Sequence, residues 1–371
     1  MSNLESVVAS RKIVKALGVM SGTSMDAIDV ALIETDGETH IRCHVFAEGA
    51  YGSALRETLL QRLADPIVAS APPPRDLIDA VTDAHCRAVE EMMVSNHLSL
   101  DDIDLIGFHG QTIFHAPDRR LTIQIFDGAR AARRLKRPVV SDFRTADVLA
   151  GGQGAPLAPL YHQAKFGERR EPIAVVNIGG VSNITYFDQD TILAFDTGPG
   201  SALIDDFIRR RRGLNYDQDG LIARSGAIDL QIVNRFLSMP YFVQAPPKSL
   251  DRNHFHKAMA EIETLSDKDG AATLLDLTVK SIARSQEHLP QKPRQWFICG
   301  GGRHNLFLLE RLKDILGVPV NPVEILGWNG DMVEAECFAW LAARVVKGLP
   351  LSLPSTTGVP HPMKGGHIDY P

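Results

Sequence analysis

Twice in this chain the same pattern appears: an apolar strand, a short turn rich in glycine and hydroxyl residues, and two further strands. The first copy reads as strands over 14–20, 27–34 and 40–47, with Ser21, Gly22, Thr23 and Ser24 in the first turn. The second follows Pro172, with strands over 173–177, 183–187 and 191–195 around the turn Gly179-Gly180, about 160 residues downstream. A repeated hairpin of this kind predicts a duplicated α/β architecture: two related lobes, each a mixed sheet flanked by helices, with a cleft between them.

The rest of the pattern agrees with two lobes. Apolar residues at helical spacing predict helices over 53–64 and 75–96, separated by Pro72, Pro73 and Pro74, and a short helix over 129–136. Short strands over 103–108, 121–126 and 138–141 complete the first half. The second half is helical over 201–211, 228–238, 271–288, 305–316 and 333–347, with one more apolar strand over 296–299. The expected boundaries are an N-terminal lobe over 1–156, a C-terminal lobe over 157–355, and a tail over 356–371 that packs back on the N-terminal lobe. A length of 371 residues is enough for two or three domains and a sizeable core.

Four segments concentrate glycine with small polar residues: GVMSGTSMD (18–26), NIGGVSN (177–183), FDTGPG (195–200) and CGGG (299–302). Glycine lets a backbone approach a ligand closely and aim successive N–H groups at phosphate oxygens, and Ser and Thr hydroxyls add donors. The chain has neither GxxxxGK[ST] nor a well-placed GxGxxG, which sets aside the P-loop and dinucleotide-binding readings. Each segment alone is also compatible with an ordinary turn. Likewise Asp26 and Asp29 can cap turns, and Asp196 can be a polar residue ending a strand.

The order of these segments resembles the phosphate-1, phosphate-2, connecting and adenosine motifs of the actin, hexokinase and Hsp70 superfamily, whose fold is a ribonuclease H-like duplication. More narrowly, the chain resembles the anhydro-N-acetylmuramic acid kinase family. The residues that carry this are MSGTSMDAIDVALIE (20–34), GFHGQTIFH (107–115), SDFRTADVLAGGQGAPLAPLYH (141–162), NIGGVSNIT (177–185), FDTGPG (195–200), DQDG (217–220) and CGGGRHN (299–305). The resemblance implies an ATP- and Mg²⁺-dependent enzyme that opens the 1,6-anhydro bridge of its amino sugar with water and phosphorylates O6. By position in the motif, Asp196 is the base that activates the water. The nucleotide segment is Gly22, Thr23, Ser24, Met25, Asp26, Ala27, Ile28 and Asp29, with Asp26 reaching Mg²⁺ through water. Gly179, Gly180 and Ser182 are its counterparts in the second half, and Gly300, Gly301 and Gly302 lie toward adenosine.

The sugar carries a lactyl carboxylate, for which Arg144 is the expected cation. His109, Gln111 and Thr112 are the expected donors to the sugar or its acetamido group, with Asp147, Gln153 and Glu334 nearby. The family usually has glycine where this chain has Ala27, and often asparagine where it has Ser201. Ala27 would weaken nucleotide binding if its position needed a positive φ.

Several features need no ligand. The run Arg209 to Arg212 closes a helix before Gly213, where macrodipole compensation and solvation explain it. His109 and His115 have no third ligand at metal-binding spacing. Trp296, Trp328 and Trp340 read as core or lid residues. A net charge of −6, from 39 Lys and Arg against 45 Asp and Glu, advertises no affinity for nucleic acid or anionic membrane. Four scattered cysteines, an N-terminus interrupted by charges, and the lack of an apolar run of about 18 residues point to a reduced, cytoplasmic, non-membrane protein. The family resemblance adds a homodimer.

Overall fold

The computed structural model describes residues 11–23, 25–167, 171–189, 191–250 and 259–371. Met1–Gly167 together with Met332–Pro371 form one compact unit, and Glu168–Asp331 form a second. Both are α/β, and their sheets repeat one topology.

In the first unit β1 (Val14–Ser21), β2 (Ile28–Thr35) and β3 (Ile41–Gly49) form an antiparallel meander. β4 (Leu105–Ala116) lies parallel to β1, and β6 (Val139–Ser141) lies parallel to β4. β5 (Leu121–Ile125) returns along the far half of β4. In the second unit β7 (Ile173–Ile178), β8 (Val181–Asp188) and β9 (Thr191–Pro199) form the matching meander. β10 (Gln295–Cys299) lies parallel to β7, and β11 (Val320–Pro322) parallel to β10. The orders β6-β4-β1-β2-β3 and β11-β10-β7-β8-β9 are therefore equivalent, which is the duplication that the recurring hairpins predict. β12 (His367–Asp369) pairs antiparallel with β6 and extends the first sheet by one strand.

Each sheet buries an apolar face under helices. In the first unit Leu77, Val81, Ala84, Ala88 and Met92 of the helix Arg75–Ser95 pack with Leu17, Val19, Val30 and Phe108. In the second unit Leu274, Leu275 and Ile282 of the helix Asp267–Arg284 join Val176, Ile184, Phe195 and Trp296. Among the described residues no helix is long and apolar enough to cross a membrane.

The structure corrects two expectations. First, the strand expected over 103–108 runs on to Ala116, so the HGQT residues are part of β4; Gly110, at φ +74°, lies where the pairing of β4 with β1 shifts register, just before Gln111, which pairs with both β1 and β5. Second, residues 157–167 and 332–355 belong with the N-terminal unit, not with the C-terminal lobe. The helix Val333–Val346 lies on β1 and β4, which present bare backbone at Gly18 and Gly107. A β-carbon on Gly18 would sit 1.9 Å from the Ala335 carbonyl oxygen, and one on Gly107 would sit 2.4 Å from that of Phe338. Trp340 Nε1 donates to the Glu38 carbonyl at 3.1 Å and Arg344 Nη1 to that of Gly37 at 2.7 Å, both in the β2–β3 turn. These partners are some 300 residues apart, so no local pattern announces them.

This docking makes Gly18 intolerant of any side chain. Gly18→Ala should lower stability by about 3 kcal/mol, since two main chains must separate. Gly301, whose β-carbon would meet nothing within 4 Å, is the control and should tolerate Ala without loss. Urea unfolding of both variants checks this, and equal midpoints would contradict it.

Besides His109, three histidines of the first unit are kept uncharged. Burial lowers His85 and His115 to about 4 and His162 to about 3, aided for His115 by the charge of Arg144 and for His162 by that of Lys165. Unfolded, each would bind a proton below about 6.5. Because the folded values are depressed, their contribution is complete above that pH and is lost as pH falls toward 4. Stability to urea should drop by at least about 2 kcal/mol between pH 7.5 and pH 5. A flat profile over that range would show that these rings are not held neutral.

Candidate active site

In the second unit three of the glycine-rich segments converge. Pairing of β7 with β10 sets Cys299 beside Asn177, which brings Gly300–Gly302 against the end of β7. Gly300 has φ +75°, and a β-carbon there would lie 2.1 Å from Asn177 Oδ1; one on Gly302 would lie 2.3 Å from Ile178 Cγ2. Gly301 is exposed. The loop is braced from behind by Arg303, whose Nη1 donates to the Gly300 carbonyl at 3.2 Å and whose guanidinium grips Asp331 with two bonds of 2.6 Å. That grip holds the Asp331 carboxyl below its usual range.

The turn Gly179-Gly180 meets the end of β9. Gly200 N–H donates to the Gly180 carbonyl at 3.0 Å and Ser201 N–H to that of Gly179 at 2.8 Å. A β-carbon on Gly200 would lie 2.1 Å from the Gly179 oxygen, so this contact requires glycine. Ser201 adds a second bond through Oγ, 3.2 Å from the same oxygen, and so ties the helix Ala202–Arg212 to the turn. Ser182 is fully buried, its Oγ 2.7 Å from Thr197 Oγ1 and within reach of the Gly198 and Pro199 carbonyls. Its hydroxyl joins β8 to β9 and faces no open space, unlike the donor role expected for it.

Asp196 sits beside a bulge in β9: Ser182 pairs with Gly198 but Asn183 pairs with Asp196, so Thr197 is the extra residue. Bulges re-aim side chains next to functional sites. Asp196 is 6% exposed. Its Oδ2 accepts from the Leu250 N–H at 2.7 Å, its own N–H donates to the Lys248 carbonyl at 3.0 Å, and its carbonyl accepts from the Tyr241 hydroxyl.

In the first unit the turn after β1 holds Gly22, Thr23 and Met25, while Ser24 lies outside the described residues. Met25, not Ala27, takes the positive φ, at 54°, so the alanine in place of the family's usual glycine carries no backbone strain. Met25 and Ile28 are fully buried, and Asp29 is a β2 residue paired with Met20 and Glu48. Of the side chains in this segment Asp26 is the exposed carboxylate, and Arg56 Nη2 lies 2.9 Å from its Oδ1. Arg56 Nε also donates to the Met25 carbonyl at 3.0 Å.

Several residues expected on the sugar are instead occupied with the frame. Gln111 is buried; its Nε2 donates to the Gly22 carbonyl at 3.2 Å and its Oε1 accepts from the Tyr51 hydroxyl at 2.9 Å. It therefore holds the turn after β1. Asp147 is also buried, accepting from Gly154 N–H at 2.6 Å, Thr357 Oγ1 at 2.6 Å, and the Ser352 hydroxyl. It anchors the glycine-rich loop 150–154 to the C-terminal segment, where Gln153 N–H donates to the Thr357 carbonyl at 2.6 Å. Thr112 Oγ1 accepts from Gln124 at 3.2 Å.

Arg144 and His109 are brought together. Arg144 Nε donates to His109 Nε2 at 2.9 Å and Nη1 to the Gly154 carbonyl at 2.7 Å. Burial, with the Arg144 charge second, holds His109 well below its ordinary value, so this ring accepts as a neutral imidazole. Glu334 is half-buried in the first turn of the helix Val333–Val346. The run Arg209–Arg212 is consumed by Asp206, Glu263 and Asp267. Arg56, Tyr51, Lys248 and Tyr241 were not found from the sequence, because each reaches its partner through folding, without a motif of its own; Arg303 lies within CGGGRHN but was not singled out there.

Residues 14–371 match the family described as anhydro-N-acetylmuramic acid kinase. The chain is 48% identical over 365 residues to the anhydro-N-acetylmuramic acid kinase of Bradyrhizobium diazoefficiens, a match covering 96% of this chain and 99% of that one. It is 46% identical over 364 residues to the protein of that name from Zymomonas mobilis subsp. mobilis, again with 96% and 99% covered. Among solved structures it is similar, at 12% identity and a TM-score of 0.47, to the activator of the 2-hydroxyisocaproyl-CoA dehydratase from Clostridium difficile with bound ADPNP, with 90% and 96% covered. A profile spanning all but the first residues, with near-half identity along the same length, places the chain: it belongs to the anhydro-N-acetylmuramic acid kinase family.

Proposed function

We propose that this chain is an ATP-dependent kinase that opens the 1,6-anhydro ring of anhydro-N-acetylmuramic acid and phosphorylates O6, giving N-acetylmuramate 6-phosphate and ADP in peptidoglycan recycling. The observation that carries this reading is the buried Asp196 carboxylate at the β9 bulge, within a chain that matches the family along its length. Water attacks the anomeric carbon and Asp196 takes its proton. The bridging oxygen leaves that carbon as O6 and takes the γ-phosphoryl group. A carboxylate kept from bulk water and oriented by a backbone donor suits a general base.

Phosphoryl transfer asks mainly for positioning and charge neutralisation. Gly22, Thr23 and Asp26 are the proposed phosphate contacts from the turn after β1, and Gly179 and Gly180 those from the turn after β7. Gly300–Gly302 approach the adenosine end. An exposed carboxylate such as Asp26 fits Mg²⁺, which keeps most of its waters, provided Arg56 yields it or turns to the phosphates. When bound, Mg²⁺ would neutralise charge on the β- and γ-phosphates. Arg144, with His109 beside it, is the proposed partner of the lactyl carboxylate. The enzyme works as a cytoplasmic homodimer, on the family resemblance.

Solvent oxygen-18 tests the reaction itself: label should appear at the anomeric carbon of the product. Unlabelled product would mean phosphorylation of an ordinary hydroxyl without ring opening. Asp196→Asn should abolish turnover with ATP still bound, because it removes a base and little volume. Arg144→Ala should raise the sugar KM about tenfold or more, by loss of a charge-assisted pair. A KM change confined to ATP would contradict that assignment.

A further inference from the structure

Lys248 is buried in the second unit and reaches no surface. Its Nζ donates to the Tyr241 carbonyl at 3.0 Å and lies 3.3 Å from His288 Nε2. An ammonium has no lone pair, so it donates there and the imidazole accepts. The charge also lies 4.7 Å from the Tyr241 ring centroid and 5.7 Å from that of Phe195. The cavity beside it, lined by Phe195, Thr197, Phe242 and Ser281 among others, is about 10 Å³. That holds at most a single water, so Lys248 is not there to bind a ligand.

Burying an ammonium is costly and needs a structural return. Here the residues it holds are those that hold Asp196. The hydrogen bonds form a circuit: Lys248 Nζ to the Tyr241 carbonyl, Tyr241 hydroxyl to the Asp196 carbonyl, and Asp196 N–H to the Lys248 carbonyl. Two residues on, the Leu250 N–H binds Asp196 Oδ2. We propose that Lys248 is a positioning residue for Asp196: its ammonium pins the segment Lys248–Leu250 to Tyr241, and the backbone of that segment sets the orientation of the carboxylate. The proposal rests on the reading of Asp196 as the base. Its surroundings agree, for burial and the charge of Arg284 lower Lys248 to about 8 against the opposing charge of Glu287, and His288 is held below its ordinary value by burial and by Lys248. The ammonium is thus poorly solvated and tightly committed to its acceptors.

The test uses the full chain and four variants: Lys248→Met, Lys248→Gln, Tyr241→Phe and Asp196→Asn. Misplacing a catalytic group by about 1 Å can cost about 100-fold, and Lys248→Met should lower kcat by about that factor. KM for sugar and for ATP should stay within about twofold of wild type, because no binding contact is lost. Lys248→Gln keeps an N–H donor and should recover about tenfold of the loss. Tyr241→Phe removes one hydroxyl of the same circuit and should also lower kcat, with the Lys248→Met/Tyr241→Phe double variant little worse than Lys248→Met alone. A lysine serving the core only would lower the melting temperature of Lys248→Met and leave kcat of the folded protein unchanged, which overturns the proposal. If Lys248→Met does not fold, Tyr241→Phe decides: unchanged kcat there overturns it as well. Full turnover in Asp196→Asn would instead remove the base reading. An inactive Asp196→Asn beside a fully active Lys248→Met would remove Lys248 alone.

Discussion

The contact of backbone on backbone at Gly179 and Gly200 is the constraint that the candidate site depends on. The Gly179 oxygen occupies the place that a β-carbon on residue 200 would take, 2.1 Å away, and accepts from the next N–H at 2.8 Å. This locks the end of β9 to the turn after β7. With that end fixed, the bulge at Thr197 has a defined place, and Asp196 beside it is aimed by geometry and not by its own rotamer preference. The same device recurs at Gly300 and Gly302 against β7, and at Gly18 and Gly107 under a helix. At Gly18, Gly107 and Gly200 the missing side chain lets two main chains meet, at Gly300 and Gly302 it makes room for the Asn177 and Ile178 side chains, and the contacts so gained offset the conformational freedom glycine loses on folding.

Polar residues near these turns divide by where their hydrogen bonds go. Gln111, Asp147 and Ser182 are each buried, and a buried polar group must be satisfied internally. Gln111 is bonded to Gly22 and Tyr51, Asp147 to Gly154, Ser352 and Thr357, and Ser182 to Thr197 and the carbonyls after it. Such residues make a rigid frame for the turns. Asp26 differs, since it is exposed with Arg56 as its partner. An exposed pair of this kind contributes little to stability and yields readily to a better ligand. Frame and ligand-facing residues can thus occupy one motif, and motif position alone does not separate them.

This is also the line between what was legible in the sequence and what was not. The strands β1, β2, β7 and β8 and their glycine turns were readable because apolar period and turn chemistry are local signals. The run HGQT was expected to contact the sugar, but the extension of β4 through it was not legible, because that extension depends on pairing with β5, a contact outside the run. The helix over 333–347 was placed within one residue at its end, but assigned to the wrong unit. Its amphipathic pattern tells that it packs, and Gly18 and Gly107, which tell where, lie in other segments. Lys248, Tyr241 and Arg56 carry no motif at all. Their roles arise from contacts between residues distant along the chain.

Charge in the first unit follows from the same economy of burial. The chain is acidic by six, yet its proposed substrates are a triphosphate and a carboxylate. A site built from several buried cations would solve that at a large desolvation cost. Arg144 is accompanied instead by His109 and His115, both held neutral by burial and by the arginine itself. One of the guanidinium's hydrogen bonds therefore goes to an uncharged acceptor, His109 Nε2. A neutral imidazole accepts from the guanidinium without adding a charge of its own to the site.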